Sequence, residues 1–338
     1  MNLSARVSKE LDQKVVLITG GTGSFGKRCT QRLLKEFDPA KVIVYSRDEF
    51  KQFEMAQKIV DRRVRFFIGD VRDCGRLELA MRDVDIVIHA AALKHVPIAE
   101  YNPMECVKTN VDGAQNVVFA ALRTNVKKVI ALSTDKACNP INLYGATKLA
   151  SDKIFIASNN LSGAHGARFA IVRYGNVVGS RGSVIPYFHG LIAQGATRLP
   201  ITDERMTRFW ITLDAGVDLV FTSLALMHGG ELFVPKIPSM KVIDLARAMA
   251  PHLPHDIIGI RPGEKVHEVM ITQDDSRTCY DVGDRYVILP SQRPDAADLY
   301  GEAAPVDPEF RYASNTNTRW LDTDALRRMV AAVKLEGV

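Results

Sequence analysis

Residues 15–26 read Val15-Val16-Leu17-Ile18-Thr19-Gly20-Gly21-Thr22-Gly23-Ser24-Phe25-Gly26. The apolar opening is short and rich in β-branched residues, as a strand buried on both faces requires. Glycines at 20, 23 and 26 suit a tight turn, an open approach for a pyrophosphate and close packing of a following helix on the strand. The start of that helix offers unpaired backbone N–H groups and a partial positive charge to phosphates. The segment predicts a dinucleotide cradle formed by Gly20, Thr22, Gly23, Ser24, Phe25 and Gly26.

Outward from this cradle, apolar runs at 42–45, 65–68, 86–89, 129–133 and 170–173 repeat the buried-strand pattern. Amphipathic segments at 27–37, 110–124 and 144–159 read as helices between them. The alternation predicts an α/β fold, a doubly wound parallel sheet of Rossmann type. After about residue 175 the rhythm breaks. Residues 179–186 read as a loop, 199–208 are polar, and 233–310 are rich in proline. The expected division is a dinucleotide-binding domain over 1–175 and a smaller carboxy-terminal substrate lobe over 176–338, with segments near 210–227 returning to the first domain.

The chain has 338 residues, of which 46% are hydrophobic and 25% charged. These are globular proportions, which exclude a disordered or fibrous architecture. No apolar run is long enough for a membrane span, and residues 1–14 lack the apolar core of a secretory signal. The five cysteines are widely spaced with no C-x-x-C pair, so neither a disulfide framework nor a metal site is expected, and the thiols point to the cytoplasm. A net charge of +5 is too small for a nucleic-acid protein but suits an anionic small molecule.

The end of the second strand reads Val44-Tyr45-Ser46-Arg47-Asp48. Ser46 and Arg47 stand where an NAD site places a carboxylate, and a guanidinium suits a 2′-phosphate. NADP is therefore the expected cofactor, unless Asp48 takes the acidic role slightly late. Asp70 and Val71 follow the third strand, in position for the adenine edge. Ala90, Ala91 and Ala92 follow the fourth, where small residues admit a close approach.

The fifth strand runs into Ser133-Thr134-Asp135-Lys136, and a loop leads to Tyr144-Gly145-Ala146-Thr147-Lys148. Tyr144 and Lys148, four apart on a helix, share one face. An ammonium beside a phenol favours phenolate, so Tyr144 is the candidate base for a hydroxyl proton.

The motifs TGGTGSFG, GDVRD, HAAALKHVP, STDKACNPINLYGATK, RYGNVVGSRGSVIP and RPGEKVHE resemble the extended short-chain dehydrogenase/reductase superfamily, and within it the inverting UDP-N-acetylglucosamine 4,6-dehydratases of pseudaminic acid biosynthesis. The resemblance runs from about Lys14 to Leu321. Where retaining dTDP-glucose 4,6-dehydratases carry Asp-Glu, this chain carries Asp135-Lys136. The resemblance implies oxidation at sugar carbon 4, loss of water across carbons 5 and 6, and inversion at carbon 5. It gives Tyr144 the 4-hydroxyl proton, Lys136 (as a neutral amine) the carbon 5 proton and Asp135 the departing 6-hydroxyl, with Thr134 on the carbon 4 oxygen. Lys148, Lys94 and Asn110 join the cofactor set. For UDP-N-acetylglucosamine it implies Lys94, Asn176, Arg181, Ser183, Val184, Pro186, Thr202, Arg208, Arg261 and Glu264, with His95 near the sugar. It also implies a homo-oligomer, dimer or hexamer.

Two other readings use the same motifs. A UDP-sugar 4-epimerase needs the tyrosine but leaves Asp135 and Lys136 idle. A non-catalytic NADP-sensing module would not need Tyr144 and Lys148 at this spacing.

Overall fold

A computed structural model describes residues 2–163, 166–180, 182–290 and 296–332. Six strands carry the amino-terminal half: β1 (Val15–Thr19), β2 (Lys41–Ser46), β3 (Val64–Ile68), β4 (Ile86–His89), β5 (Lys128–Thr134) and β6 (Arg168–Tyr174). They lie in the order β3-β2-β1-β4-β5-β6, and strand Leu232–Pro235 adds to β6 in parallel. Strands Arg285–Ile288, Cys279–Asp281 and Ala304–Pro305 continue the sheet antiparallel, making ten strands among the described residues. Its first six strands form the doubly wound parallel arrangement expected from the alternation of apolar runs and helices, whereas the four strands at 232–235, 279–281, 285–288 and 304–305, expected in the carboxy-terminal lobe, extend the same sheet. Its order reverses between β1 and β4, which opens a crevice at the carboxyl ends of the strands.

The core runs through Val16, Leu17, Ile18, Val87, Ile88, Val129, Ile130, Phe169 and Ile171, all buried. Helix Leu213–Leu226 buries Val217, Val220 and Leu224 in the same core, with Phe221 edge-on to Phe37 at 5.4 Å. The first helix, Leu3–Leu11, buries Val7 and Leu11 there, and the Lys128 ammonium joins Glu10 (2.7 Å) to the Leu224 carbonyl (2.9 Å).

Three helices differ in extent from the sequence pattern. Helix Ser24–Glu36 begins three residues earlier than periodicity suggests, with Gly23 as its N-cap. The 110–124 segment is helical over Gly113–Arg123 and is preceded by a wider π-type turn, Lys108–Asp112. Residues 179–186 are not all loop: helix Val184–Ala193 starts within them, and Pro186 sits in its first turn, where a missing N–H costs nothing.

The remaining elements stand over the crevice. Strands Asn176–Val177, Thr207–Ile211 and Ser239–Lys241 form a small sheet, and Leu199–Ile201 pairs with His255–Ile257. A second apolar cluster of Ile185, Met206, Trp210, Met240, Leu245 and Leu326 holds helices Val184–Ala193, Val242–Met249 and Thr323–Ala331 to that sheet. No helix among the described residues is long and apolar enough to cross a membrane.

Candidate active site

A cavity of about 1150 Å³ runs along the crevice and under the elements above it. At its floor, Gly20 has φ +64°, and a Cβ there would lie 2.9 Å from the Ala91 backbone. Only glycine lets the loops after β1 and β4 approach this closely. Thr19 Oγ accepts from the N–H groups of Ala90 (3.2 Å) and Ala91 (3.3 Å) and shares a hydrogen bond with His89 Nδ1 at 2.8 Å. Gly23 caps helix Ser24–Glu36 with no side-chain hydrogen bond, which leaves the helix amides facing the cavity. This open cradle of backbone donors fits a dinucleotide pyrophosphate.

Gly20, Thr22, Gly23, Ser24, Phe25, Gly26, Ser46, Arg47, Asp70, Val71 and Ala90–Ala92 all line the cavity. Ser46 is pinned by Thr22 Oγ (3.1 Å) and by the Gln52 amide on its carbonyl (3.0 Å). The Arg47 guanidinium is half exposed and lies 3.7 Å from Asp70, which also receives a fork from Arg72. Asp48 also lines the cavity, where it caps helix Glu49–Lys58 and pairs with Lys51. Asn110 lies behind the cavity wall. Its amide binds both backbone groups of Leu93 and Thr147 Oγ, so it braces the loop that carries Lys94.

The reacting groups meet where β5 ends. Thr134 closes the strand and accepts from the Lys136 N–H at 3.3 Å, folding Asp135–Ala137 into a 3₁₀ turn. Asn142 caps helix Leu143–Ala157 through the Gly145 N–H (2.7 Å) and donates to the Gly263 carbonyl (2.8 Å). Tyr144 and Lys148 then face the cavity one turn apart, beside Thr134 and Lys136. Asp135 is fully buried just beneath, accepting from Thr134 Oγ (3.0 Å) and from Lys136 Nζ (3.1 Å).

Burial raises the Asp135 carboxyl above its ordinary range, and the nearby Glu268 charge adds to this against the pull of Lys136. A raised acid is what protonating a leaving hydroxyl requires. Lys136 departs from expectation. Burial favours its neutral amine, but the carboxylates of Asp135 and Glu268 outweigh burial and hold it as an ammonium. Tyr144 departs likewise: burial pushes the phenol up to about 12, although the Lys136 charge and the Thr134 hydrogen bond oppose it. The Lys148 amine is lowered by burial, with Asp152 opposing. The expected lowering of the phenol is absent because desolvation of a phenolate outweighs the charges present.

Lys94, His95, Asn176, Ser183, Val184, Pro186, Thr202, Arg208, Arg261 and Glu264 also line the cavity. Arg181 lies outside the described residues. Lys94 is lowered by burial and by the Lys136 charge. Arg208 spends one nitrogen on the carbonyls of Thr207 (2.7 Å) and Val266 (3.2 Å), which aims its guanidinium. Asn176 Oδ1 and Ser183 Oγ are buried without a hydrogen-bond partner among the described residues, so the wall offers polar atoms to a polar guest. Sequence reasoning missed Glu268, a buried cavity residue that ends the RPGEKVHE motif. The signal lay in that motif, which was read only for Arg261 and Glu264.

A glycine cradle at the switch point of a parallel sheet, with Tyr and Lys one helical turn apart beside it, defines a Rossmann-fold protein of the extended short-chain dehydrogenase/reductase type. The chain belongs to the family described as Polysaccharide biosynthesis protein, which matches residues 16–290. It is 60% identical over 314 residues to a protein of Campylobacter jejuni named UDP-N-acetylglucosamine 4,6-dehydratase (inverting), covering 91% of this chain and 94% of that one. It is 43% identical to a UDP-glucose 4-epimerase of Rickettsia bellii, over 81% and 82% of the two chains. Among solved structures, Pen from Bacillus thuringiensis matches with TM-score 0.88 and 36% identity, over 95% of this chain and 98% of that one. The dTDP-glucose 4,6-dehydratase DesIV of Streptomyces venezuelae, solved with NAD and TYD bound, matches with TM-score 0.68 and 25% identity, over 75% and 86%.

Proposed function

We propose that this chain is an inverting UDP-N-acetylglucosamine 4,6-dehydratase that uses bound NADP. The observation that carries the reading is the Asp135–Lys136 pair, in contact at 3.1 Å, with Lys136 lining the cavity beside Tyr144 and Asp135 buried behind it. An epimerase has no use for such a pair, and the Campylobacter relative at 60% identity bears the dehydratase name.

Tyr144, held by Thr134, accepts the proton of the 4-hydroxyl as a phenolate, the form that Lys148 and the positive nicotinamide, when bound, would favour. The nicotinamide, when bound, supplies reversible hydride acceptance from carbon 4 and return at carbon 6. The ketone at carbon 4 acidifies the proton on carbon 5, because the resulting carbanion is delocalised as an enolate. Moving one proton across the contact from Lys136 to Asp135 generates a base and an acid together. Lys136 then accepts the carbon 5 proton, and Asp135 protonates the 6-hydroxyl, which leaves as water. A solvent proton reaches carbon 5 on the opposite face, and the proton taken by Tyr144 passes to solvent. Lys136 and Asp135 end as they began, so the net change is loss of one water.

The cradle, Ser46, Arg47, Asp70, Val71 and Lys148 hold the cofactor in this reading, and Arg47 selects NADP by its approach to the 2′-phosphate. Arg208 and Arg261 take the diphosphate; Asn176, Ser183, Thr202 and Glu264 hold the remainder of the sugar nucleotide. The same reading places the chain at the first step of pseudaminic acid biosynthesis, in the cytoplasm, as a homo-oligomer.

The test is incubation with UDP-N-acetylglucosamine in deuterium oxide. The expected product is lighter by one water, before label is counted, and carries deuterium at an inverted carbon 5. A product isomeric with the substrate would instead establish epimerisation, and a retained carbon 5 would overturn the roles given to Asp135 and Lys136.

A further inference from the structure

Lys136 Nζ stands between two carboxylates from different parts of the chain. Asp135 Oδ1 lies at 3.1 Å, from the turn after β5. Glu268 Oε1 lies at 3.4 Å, from the segment that enters strand Val269–Ile271. Glu268 is 2% exposed, and its Oε2 has no hydrogen-bond partner among the described residues. Its backbone is locked in place: the Glu268 N–H donates to Ser314 Oγ (2.9 Å), and the Ser314 N–H donates to the Glu268 carbonyl (2.8 Å). The backbone that carries the carboxylate is thus fixed at the cavity wall.

We infer that Glu268 is a positioning residue for the acid–base pair: together with Asp135 it holds the Lys136 ammonium, and it sets how many protons the pair carries. The inference rests on the dehydratase reading for its kinetic consequence, but its electrostatic content stands apart from turnover.

The charged neighbours define the effect. Around Glu268 stand Lys136, Arg208 (3.9 Å) and Lys265 (3.9 Å), with Asp135 beyond Lys136. Around Lys136 stand those carboxylates, Arg208 and Lys94, with the Tyr144 phenol alongside. With Asp135, Lys136 and Glu268 all ionised, this trio carries a net negative charge in a buried place, which favours uptake of a proton. Lys136 and Glu268 attract one another, so the extra proton is directed to Asp135. The working pair needs one proton shared between its two sites, and that form exists between two macroscopic pKa values. A fixed negative charge beside the pair raises both values. Its removal lowers both.

The test uses the full-length chain as wild type, Glu268→Gln and Glu268→Asp. The first readout needs no turnover: the side-chain carboxyl carbon of Asp135 is followed by NMR with labelled aspartate, assigned by its loss in Asp135→Asn. In E268Q the Asp135 midpoint falls by about one pH unit or more, while E268D stays near the wild type because the charge is kept. An unchanged midpoint in a folded E268Q overturns the inference, as does an equal fall in E268D. The second readout is the pH profile of kcat with UDP-N-acetylglucosamine. Both limbs move to lower pH in E268Q. A profile lowered at every pH without displacement makes Glu268 merely structural and overturns the inference. If the wild type fails to dehydrate the sugar nucleotide, the dehydratase reading falls, and the carboxyl titration still decides the role of Glu268.

Discussion

Gly145 packs directly on the backbone of Lys136: a Cβ at position 145 would lie 2.1 Å from the Lys136 carbonyl oxygen. That contact lets the first turn of helix Leu143–Ala157 press against the 3₁₀ turn Asp135–Ala137, which brings Tyr144 alongside the Asp135–Lys136 pair. The missing methyl group is therefore what sets the spacing between the phenol and the acid–base couple.

Gly145→Ala is expected to cost about 1–3 kcal/mol of stability from overpacking. It should also lower kcat by about 100-fold, because a displacement of about 1 Å between reacting groups has that effect. Thermal unfolding and steady-state turnover measure the two losses. A variant with full activity would show that the turn yields without moving Tyr144.

Tyr144→Phe removes the phenol proton acceptor and keeps the ring that fills the space. The expected loss in kcat is about 10²–10⁴-fold. Dinucleotide binding, followed by fluorescence titration, should change little because the cradle and Lys148 remain. Activity near wild type would move the proton-transfer role to another group.

His89 is fully buried, and burial together with the Lys148 charge depresses its imidazole to about 3. The unfolded chain takes up this proton near pH 6.5, whereas the folded chain resists it down to about pH 3. The neutral ring's contribution to stability is present above pH 6.5 and is lost as pH falls through that window, with a slope of about 1.4 kcal/mol per pH unit. Comparing urea unfolding of the wild type and His89→Gln across this range should show a flatter curve for the variant. Parallel curves would mean that the ring gains its proton without unfolding.

Arg47 lines the cavity just past the end of β2, and its side chain is 54% exposed. Arg47→Ala should weaken NADP binding by about tenfold or more and leave NAD nearly unchanged, since a charge-assisted phosphate contact is worth about 1.5–3 kcal/mol. Calorimetric titration with both dinucleotides decides this. Equal weakening of the two would give Arg47 no part in discrimination.

Much of the molecule was legible in its amino-acid order because the signals are local. Buried parallel strands demand unbroken apolar runs, so β1, β4 and β5 announce themselves. The glycine spacing at 20, 23 and 26 and the four-residue step from Tyr144 to Lys148 follow from turn and helix geometry alone. Helix ends were less legible, since the cap at Gly23 and the start at Val184 depend on loops that periodicity does not describe. Asn110 has the polarity of a ligand-binding residue, yet its amide is consumed by Leu93 and Thr147, partners that only the folded chain supplies.

The order of residues thus determined by itself the six amino-terminal strands, the cradle and most of the groups gathered at its mouth. What only tertiary structure decided is their protonation. Lys136 and Glu268 are 132 positions apart in sequence yet 3.4 Å apart in space, and Tyr144 is raised by burial contributed from several elements. Charge and desolvation act through distance and dielectric, which no local pattern of residues encodes.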